Sequence, residues 1–318
     1  MGMVDDTDGR PDESIARGIA RELCGREPES VRRFSMGIGH WVYDVGVAEG
    51  EKLVVRVGSP DQHEDFAGAV HWSRQLRPIG VPLPSLLATG KHDDFPYMVL
   101  ERLAGEDLGL VYDQLALEQK KAIAAQIFRV QRRVASLGEG RGYGFVRAPD
   151  SPHRSSWRRV IDDSIERSRS RMASAGSLFS RVLETVSKSA GRLDDYFSRV
   201  RPTPFLDDTT TKNVLVHCGR LTGIVDVDWI CFGDPLFTVA LTRASLLGSG
   251  RDLAYTDHWC ELFAPSLEQQ AALRFYTALF LLDFMSELGH RFNRDTPTIT
   301  LAEVERLEIL LQEQLHGS

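Results

Sequence analysis

Asn-Val-Leu-Val (213–216) and Thr-Gly-Ile-Val-Asp-Val (222–227) are short β-rich runs on either side of a polar turn, Cys-Gly-Arg-Leu (218–221). They sit inside a half of the chain that otherwise reads as helix, and this restricts the fold more than any other feature. A lone two-stranded hairpin is barely stable in water, so this one must bury a face against the surrounding helices. Yet Asp207, Asp208, Asp226, Asp228 and Asp234 crowd around it. Neighbouring carboxylates repel one another, and each is penalised for leaving water. Such crowding implies a cation to be held or a proton to be moved.

The rest of the chain divides by texture. Residues 1–12 form a polar leader. Ile15, Ile19 and Leu23 at helical spacing, with Gly25 as a stop, predict a first helix. The stretches 32–40, 41–48 and 52–58 are β-rich runs with glycine-bearing turns and predict an antiparallel meander. A helix over 61–77, closed by Pro78 and Gly80, is followed by strand patterns at 85–90 and 96–102. From residue 107 onward helical periods dominate. Ile123, Ile127, Val130, Val134 and Leu137 form one apolar stripe, and further helices are predicted over 154–173, 177–199, 235–247, 267–290 and 301–316. The reading is an α+β chain with two lobes. Residues 1–103 make a small antiparallel sheet with one inserted helix, and residues 104–318 make a larger helical lobe carrying the hairpin. A cleft between lobes is where small ligands usually bind.

Composition narrows the partners. A net charge of −7, from 38 basic and 45 acidic residues, offers no general attraction for nucleic acid or an anionic membrane. Cys24, Cys218, Cys231 and Cys260 lack zinc-type spacing and read as free thiols of a reducing compartment. The apolar run at 279–285 is interrupted by Asp283 and is too short to span a bilayer. With no apolar segment near the start, the expectation is a soluble cytoplasmic protein, monomeric or dimeric.

Within the hairpin region the spacing points to phosphoryl transfer. Asp208 precedes Asn213 by five positions, and Asp226 closes the second strand. A hairpin brings its outer ends together, so the three can converge. Phosphoryl transfer requires a carboxylate to orient and deprotonate the attacking hydroxyl, and oxygen ligands for magnesium on the triphosphate. An Asp-Pro pair at 234–235 is a good helix start.

The segment 207–235 resembles the catalytic and metal-binding region of the aminoglycoside phosphotransferase family, which has the protein-kinase-like fold. The family pattern is His-Gly-Asp-x-x-x-x-Asn, then Ile-Asp-Trp or a variant, then Gly-Asp-Pro. The resemblance implies that Asp208 is the catalytic base, that Asn213 and Asp226 are metal ligands, and that ATP (or GTP) with Mg2+ is used. It also implies that Gly37 and Gly39 belong to a hairpin over the nucleotide and that Arg56 grips its phosphates. Residues Glu101 to Leu103 would then line the adenine. In isolation Arg56 reads equally well as an outward-facing, solvated strand residue. Two departures stand out. Leu206 and Asp207 replace the family's histidine and glycine, and the helix at 61–77 has no clean acidic partner for Arg56. Glu64 and Asp65 are the candidates, but both sit near its start, where acids also favour the helix dipole.

Only a few residues separate Asp226 from Asp234. A protein kinase needs a longer segment there to dock a polypeptide, so the acceptor is expected to be a small hydroxyl-bearing molecule. Asp283 and Glu287 share a helix face and are candidates for attracting a cationic acceptor. Alternatively, Glu287 pairs with Arg291. The basic-leaning helix around Trp157 carries the opposite sign.

Overall fold

The computed structural model describes residues 10–34, 39–148, 151, 153–172, 179–290 and 299–316. Gly37 and Arg291 lie outside the described residues.

The N-terminal region is built on a five-stranded antiparallel sheet. Strands β1 (Ser30–Arg33), β2 (Trp41–Gly46), β3 (Lys52–Val57), β4 (Leu86–His92) and β5 (Phe95–Glu101) are ordered β1-β2-β3-β5-β4. Helix α1 (Glu13–Cys24) covers one face. Asp12 starts it by accepting from the backbone of Ser14 and Ile15, and Gly25 ends it in the left-handed conformation, where a residue without Cβ is unstrained. Its packed face is Ala16, Ile19 and Ala20, set against Val45, Val55 and Val57 of the sheet. Leu23 is exposed, because the apolar stripe drifts off the sheet in the last turn. Strand alternation then puts Arg56 on the opposite face from Val55 and Val57, beside its register partners Val42 and Met98. Helix α2 (His63–Leu76) packs on that face through Phe66 and Ala69.

Beyond the sheet, β6 (Glu106–Asp107) and α3 (Leu108–Val111) lead to α4 (Leu117–Ala135), whose Ile123, Ile127, Val130 and Val134 are buried. Next come β7 (Gly144–Val146), α5 (Trp157–Met172), α6 (Ser180–Gly191), α7 (Asp194–Arg199) and β8 (Thr203–Phe205). The expected hairpin is β9 (Val214–His217) with β10 (Arg220–Ile224), and β11 (Ile230–Gly233) follows it. Helices α8 (Leu236–Gly248), α9 (Ala254–Phe263), α10 (Leu267–Met285) and α11 (Leu301–His316) complete the chain.

Three differences from the sequence reading have physical causes. The hairpin is not the sole β interruption of the helical half: β10-β9-β6 and β7-β11-β8 form two three-stranded sheets. Strands of two to four residues are too short to display a period and are defined by their partners. The helix expected over 177–199 divides into α6 and α7 at Arg192–Leu193. Helix α9 was not anticipated, its ten residues covering fewer than three turns and so showing little of a helical period. Among the described residues no helix is long and apolar enough to cross a membrane.

Candidate active site

The loop between β8 and β9 is held from below by buried polar contacts. Leu206, standing where the resemblance called for histidine, is buried. Gln131 of α4 clasps its peptide group, accepting from the Leu206 N–H at 2.9 Å and donating to its carbonyl at 2.9 Å. Thr209 is buried against Thr238 of α8 (Oγ1 to Oγ1, 3.1 Å), and Thr242 donates to its carbonyl at 3.4 Å. A side-chain amide and hydroxyls therefore anchor the loop where the resemblance would place an imidazole.

From that anchored loop the predicted residues emerge together. Asn213, itself buried, donates from Nδ2 to the carbonyl of Asp208 at 3.3 Å, and its own carbonyl accepts from Val225 N at 2.9 Å. The hairpin thus brings the residue before Asp226 against Asn213. Asp226 has φ of 64°, an uncommon left-handed conformation for a residue with a side chain, and its side chain is 50% exposed. Asp208 turns its Oδ1 toward Thr210 N (3.1 Å) and Thr210 Oγ1 (2.6 Å), while Oδ2 lies 3.3 Å from Lys212 Nζ. Asp208 and Asp226 together hold the Lys212 ammonium above its ordinary pKa, against the effect of burial. Burial, reinforced by the Asp208 charge, pushes neighbouring Asp207 up to about 7 even though Trp229 donates to its carboxylate at 2.8 Å.

Arg56 reaches this group from the sheet. The residue is 6% exposed, and its guanidinium makes a fork-to-fork pair with Asp228, Nη1 to Oδ1 at 2.6 Å and Nη2 to Oδ2 at 2.5 Å. Nη2 also lies 3.0 Å from Asp226 Oδ1 and 2.6 Å from His40 Nδ1. Burial works against its charge, but Asp228 and Asp226 outweigh that and raise its pKa. Burial and Arg56 push His40 down to about 3, so its ring is neutral and Nδ1 accepts the guanidinium proton. Ligand atoms of His40, Asp226 and Asp228 fall within 4.8 Å of one another, an arrangement that superficially suits a metal. Here the cation among them is Arg56 Nη2.

The acidic partner of Arg56 is therefore not on the helix at 61–77. Glu64 and Asp65 both face Arg147, at 3.5 and 2.5 Å, and that guanidinium stacks 5.5 Å above Trp229. Sequence reasoning missed Arg147, His40 and Gln131, and saw Asp228 as an addition to a metal shell or a neighbour tuning Asp226, not as the partner of Arg56. The sole signal for Asp228 was its period-two spacing from Asp226. Gly39, at the hairpin turn, accepts through its carbonyl from Gln62 Nε2 at 3.0 Å. In the connector, the Glu101 N–H donates to Ser85 O at 2.9 Å and its carboxylate accepts from Ser85 Oγ at 2.7 Å. Leu103 presses on Gly223, whose position has no room for a Cβ.

A cleft of about 1000 Å³ opens beside the loop, with Asp207, Asp208, Lys212 and Trp229 on one wall and Phe284 and Glu287 on another. Asp283 also lines it but is occupied by Arg167 and Arg171 of α5, each at 3.2 Å. Two further cations of α5 are similarly engaged, Arg158 with Asp162 and Asp194, and Arg169 with Glu166. Trp157 of the same helix is buried and donates to Tyr276 Oη at 2.7 Å. Tyr276 and Tyr196 donate in turn to Asp234 Oδ2, at 3.0 and 2.5 Å, and Asp234 Oδ1 accepts from Leu236 N at 3.1 Å. Asp234 thus starts α8 and ties α7 and α10 to it.

The sequence model of the APH family, described as the phosphotransferase enzyme family, matches residues 30–276. The chain belongs to that phosphotransferase enzyme family. No curated protein sequence matches it, but solved structures share its fold over nearly the whole length. Aminoglycoside phosphotransferase APH(4)-Ia superposes with a TM-score of 0.71 at 16% identity, over 96% of this chain and 99% of that one. Amicoumacin kinase hAmiN gives 0.71 at 15% identity, over 99% and 97%. A putative fructosamine-3-kinase from Haemophilus somnus 129PT gives 0.67 at 13% identity, over 95% and 97%. At such identities the likeness is one of fold. In this phosphotransferase the sheet, the anchored loop and the helical half therefore form the two-lobed, protein-kinase-like architecture, with Asp208, Asn213, Asp226 and Arg56 gathered where its lobes meet.

Proposed function

We propose that this phosphotransferase moves the γ-phosphoryl group of ATP or GTP onto a hydroxyl of a small molecule, an aminoglycoside-like antibiotic or a related metabolite. The reading rests on one observation. Asp208, Asn213 and Asp226, spread over the loop and hairpin, are drawn to one mouth by the Asn213–Asp208 and Val225–Asn213 hydrogen bonds. The division into a nucleotide-binding lobe over 1–103 and an acceptor-bearing lobe over 104–318 is part of the same proposal.

Asp208 borders the cleft and serves as general base. The acceptor oxygen bonds to the γ-phosphorus, the bond from that phosphorus to the bridging oxygen breaks, the hydroxyl proton passes to Asp208, and a nucleoside diphosphate leaves. Lys212 beside it offsets charge on the transferring group. Asn213 and Asp226 fit a magnesium ion: they offer oxygen donors, which suit a hard cation, and Asp226 is half exposed at a strained backbone position. Such an ion supplies neutralisation of the developing phosphate charge. Arg56 grips the α- and β-phosphates, and the connector from Glu101 to Leu103 borders the adenine. Because the Glu101 N–H is already engaged by Ser85, it is not a donor to the base. Positioning and electrostatics supply most of the acceleration in this chemistry.

Neighbours with this fold support the nucleotide part. A variant of APH(4)-Ia forms a ternary complex with AMP-PNP and hygromycin B, and hAmiN a complex with AMP-PNP, Ca2+ and Ami. The short link from Asp226 into β11 leaves no polypeptide-docking segment and favours a small acceptor. Asp283, one of the two acids considered for a cationic group, is already neutralised by Arg167 and Arg171 of α5, which weighs against it as the recognition point. A coupled assay of nucleoside diphosphate release over aminoglycosides, macrolides, sugars and amino alcohols tests the proposal. Nucleotide binding without turnover on any acceptor would instead identify a non-catalytic nucleotide-binding module.

A further inference from the structure

Arg56 is drawn into place by an acid on the wrong side of the cleft for a kinase-like protein. In protein kinases the lysine of the third strand is oriented by a glutamate from the neighbouring helix. Here the corresponding helix is α2, and neither of its acids contacts Arg56. Asp65 lies 2.5 Å from Arg147 Nε, with Glu64 on the same guanidinium at 3.5 Å. Asp65 acts on Arg56 through its charge alone, ranking behind Asp228 and Asp226. The contact is made by Asp228, 172 positions further along the chain.

We propose that Asp228 is the positioning residue for Arg56 in nucleotide binding, and that Gly68 lets α2 act on it through the backbone. The inference rests on the phosphotransfer reading above. Both guanidinium Nη atoms engage the Asp228 carboxylate, and both residues are 6% exposed. A bidentate arginine–carboxylate pair fixes the plane of the guanidinium as well as its distance. Arg56 Nε is buried and has no hydrogen-bond partner. A buried donor left unmatched is costly, and an anionic phosphate oxygen satisfies it while Asp228 keeps hold of the two Nη atoms.

Gly68 supplies the second half of the device. A Cβ at this position would lie 2.4 Å from the carbonyl oxygen of Asp228 and 3.1 Å from Arg147 Cβ. Helix α2 therefore rests directly on the Asp228 peptide, a closeness that glycine alone permits. The helix that contributes an acid in protein kinases contributes a contact surface here. Its acids are spent instead on Arg147, which leans over Trp229 toward the acceptor cleft. Helix α2 thus touches the Asp228 backbone through Gly68 and the acceptor side through Arg147.

Calorimetric titration with MgATP, MgGTP and adenosine separates positioning from folding, because adenosine lacks the phosphates that Arg56 meets. Asp228→Asn is expected to weaken binding of the preferred triphosphate by at least about tenfold while adenosine affinity stays within about twofold. Asp65→Asn is expected to keep the wild-type ratio of triphosphate to adenosine affinity within about twofold. In an Arg56→Met background, adding Asp228→Asn is expected to change triphosphate affinity by less than about twofold, the non-additivity of residues acting as one unit. Should Asp228→Asn fail to fold, Asp228→Glu, which retains the charge, is read in the same titrations, with a selective loss of triphosphate affinity expected. Equal loss of both ligands, an unchanged ratio, or loss of the ratio in Asp65→Asn would overturn the assignment. A wild-type protein that shows no preference for either triphosphate over adenosine refutes the phosphotransfer reading itself, and this proposal with it.

Discussion

Asn213 and Asp208 are joined inside their own loop, the asparagine amide donating to the aspartate carbonyl at 3.3 Å. Because Asn213 is buried while Asp208 borders the cleft, the bond sets the direction in which the carboxylate leaves the loop. Asp208→Asn keeps the size of that side chain and removes its basicity. Turnover is expected to fall by about 10²–10⁴-fold, the usual scale for a positioned general base, with nucleotide affinity little changed. Steady-state kinetics alongside a direct nucleotide titration check this, and turnover at the wild-type rate would remove Asp208 from its role.

Asp226→Asn isolates the metal. Asparagine tolerates left-handed backbone, so the strained turn is preserved while the charge is lost. Thermal stabilisation of the wild-type protein by nucleotide is expected to be larger with magnesium than with EDTA. In the variant that magnesium-dependent increment is expected to vanish. A full increment would mean that Asp226 holds no ion.

Gln131→Leu tests the clasp that stands in place of histidine. The change strands the Leu206 N–H and carbonyl in a buried setting, which costs about 1–3 kcal/mol for each unmatched group. Urea denaturation should show a loss of stability on this scale, and turnover should fall more than nucleotide affinity. A variant as stable as the parent would show that the loop does not depend on Gln131.

Asp207 gives a pH signature. Its folded pKa is raised from 3.8 to about 7, so between these values the native state binds the proton more tightly than the unfolded chain. Stability from this group therefore declines as pH climbs from about 4 to 7, and the penalty is complete above 7. Asp207→Asn still accepts the Trp229 bond and carries no charge. It is expected to gain stability relative to the parent at pH 8 and to differ little near pH 4. Melting curves at the two pH values decide the matter, and an equal difference at both would show that Asp207 does not titrate in this way.

Gly105, just before β6, has φ of 108°, and a Cβ there would lie 2.3 Å from the Val216 carbonyl oxygen. Both the backbone conformation and the space exclude a side chain. Gly105→Ala is expected to destabilise the fold by about 2 kcal/mol or more, measurable by urea denaturation. Wild-type stability would mean that the backbone before β6 relaxes freely.

Much of the frame was legible in the residues. Apolar periodicity marked α1 and α4, because a helix face must match the core it covers, and Pro78 with Gly80 marked the end of α2. The spacing Asp208 to Asn213, followed by a strand ending in Asp226, marked the mouth of the hairpin, since local chain geometry alone brings those positions together. What the chain order could not carry were the partners. Asp228 claims Arg56 from 172 positions away, and Asp65 is lost to Arg147. Gln131 reaches Leu206 across 75 positions. Each choice depended on which of several equivalent charges or amides the packed lobes brought within hydrogen-bond range, and buried polar groups accept whatever partner that packing supplies. Residue types and local spacing were enough to bring the reactive groups to one place; distances of a few ångströms, defined only after the sheet and helices had packed, decided which acid holds the arginine.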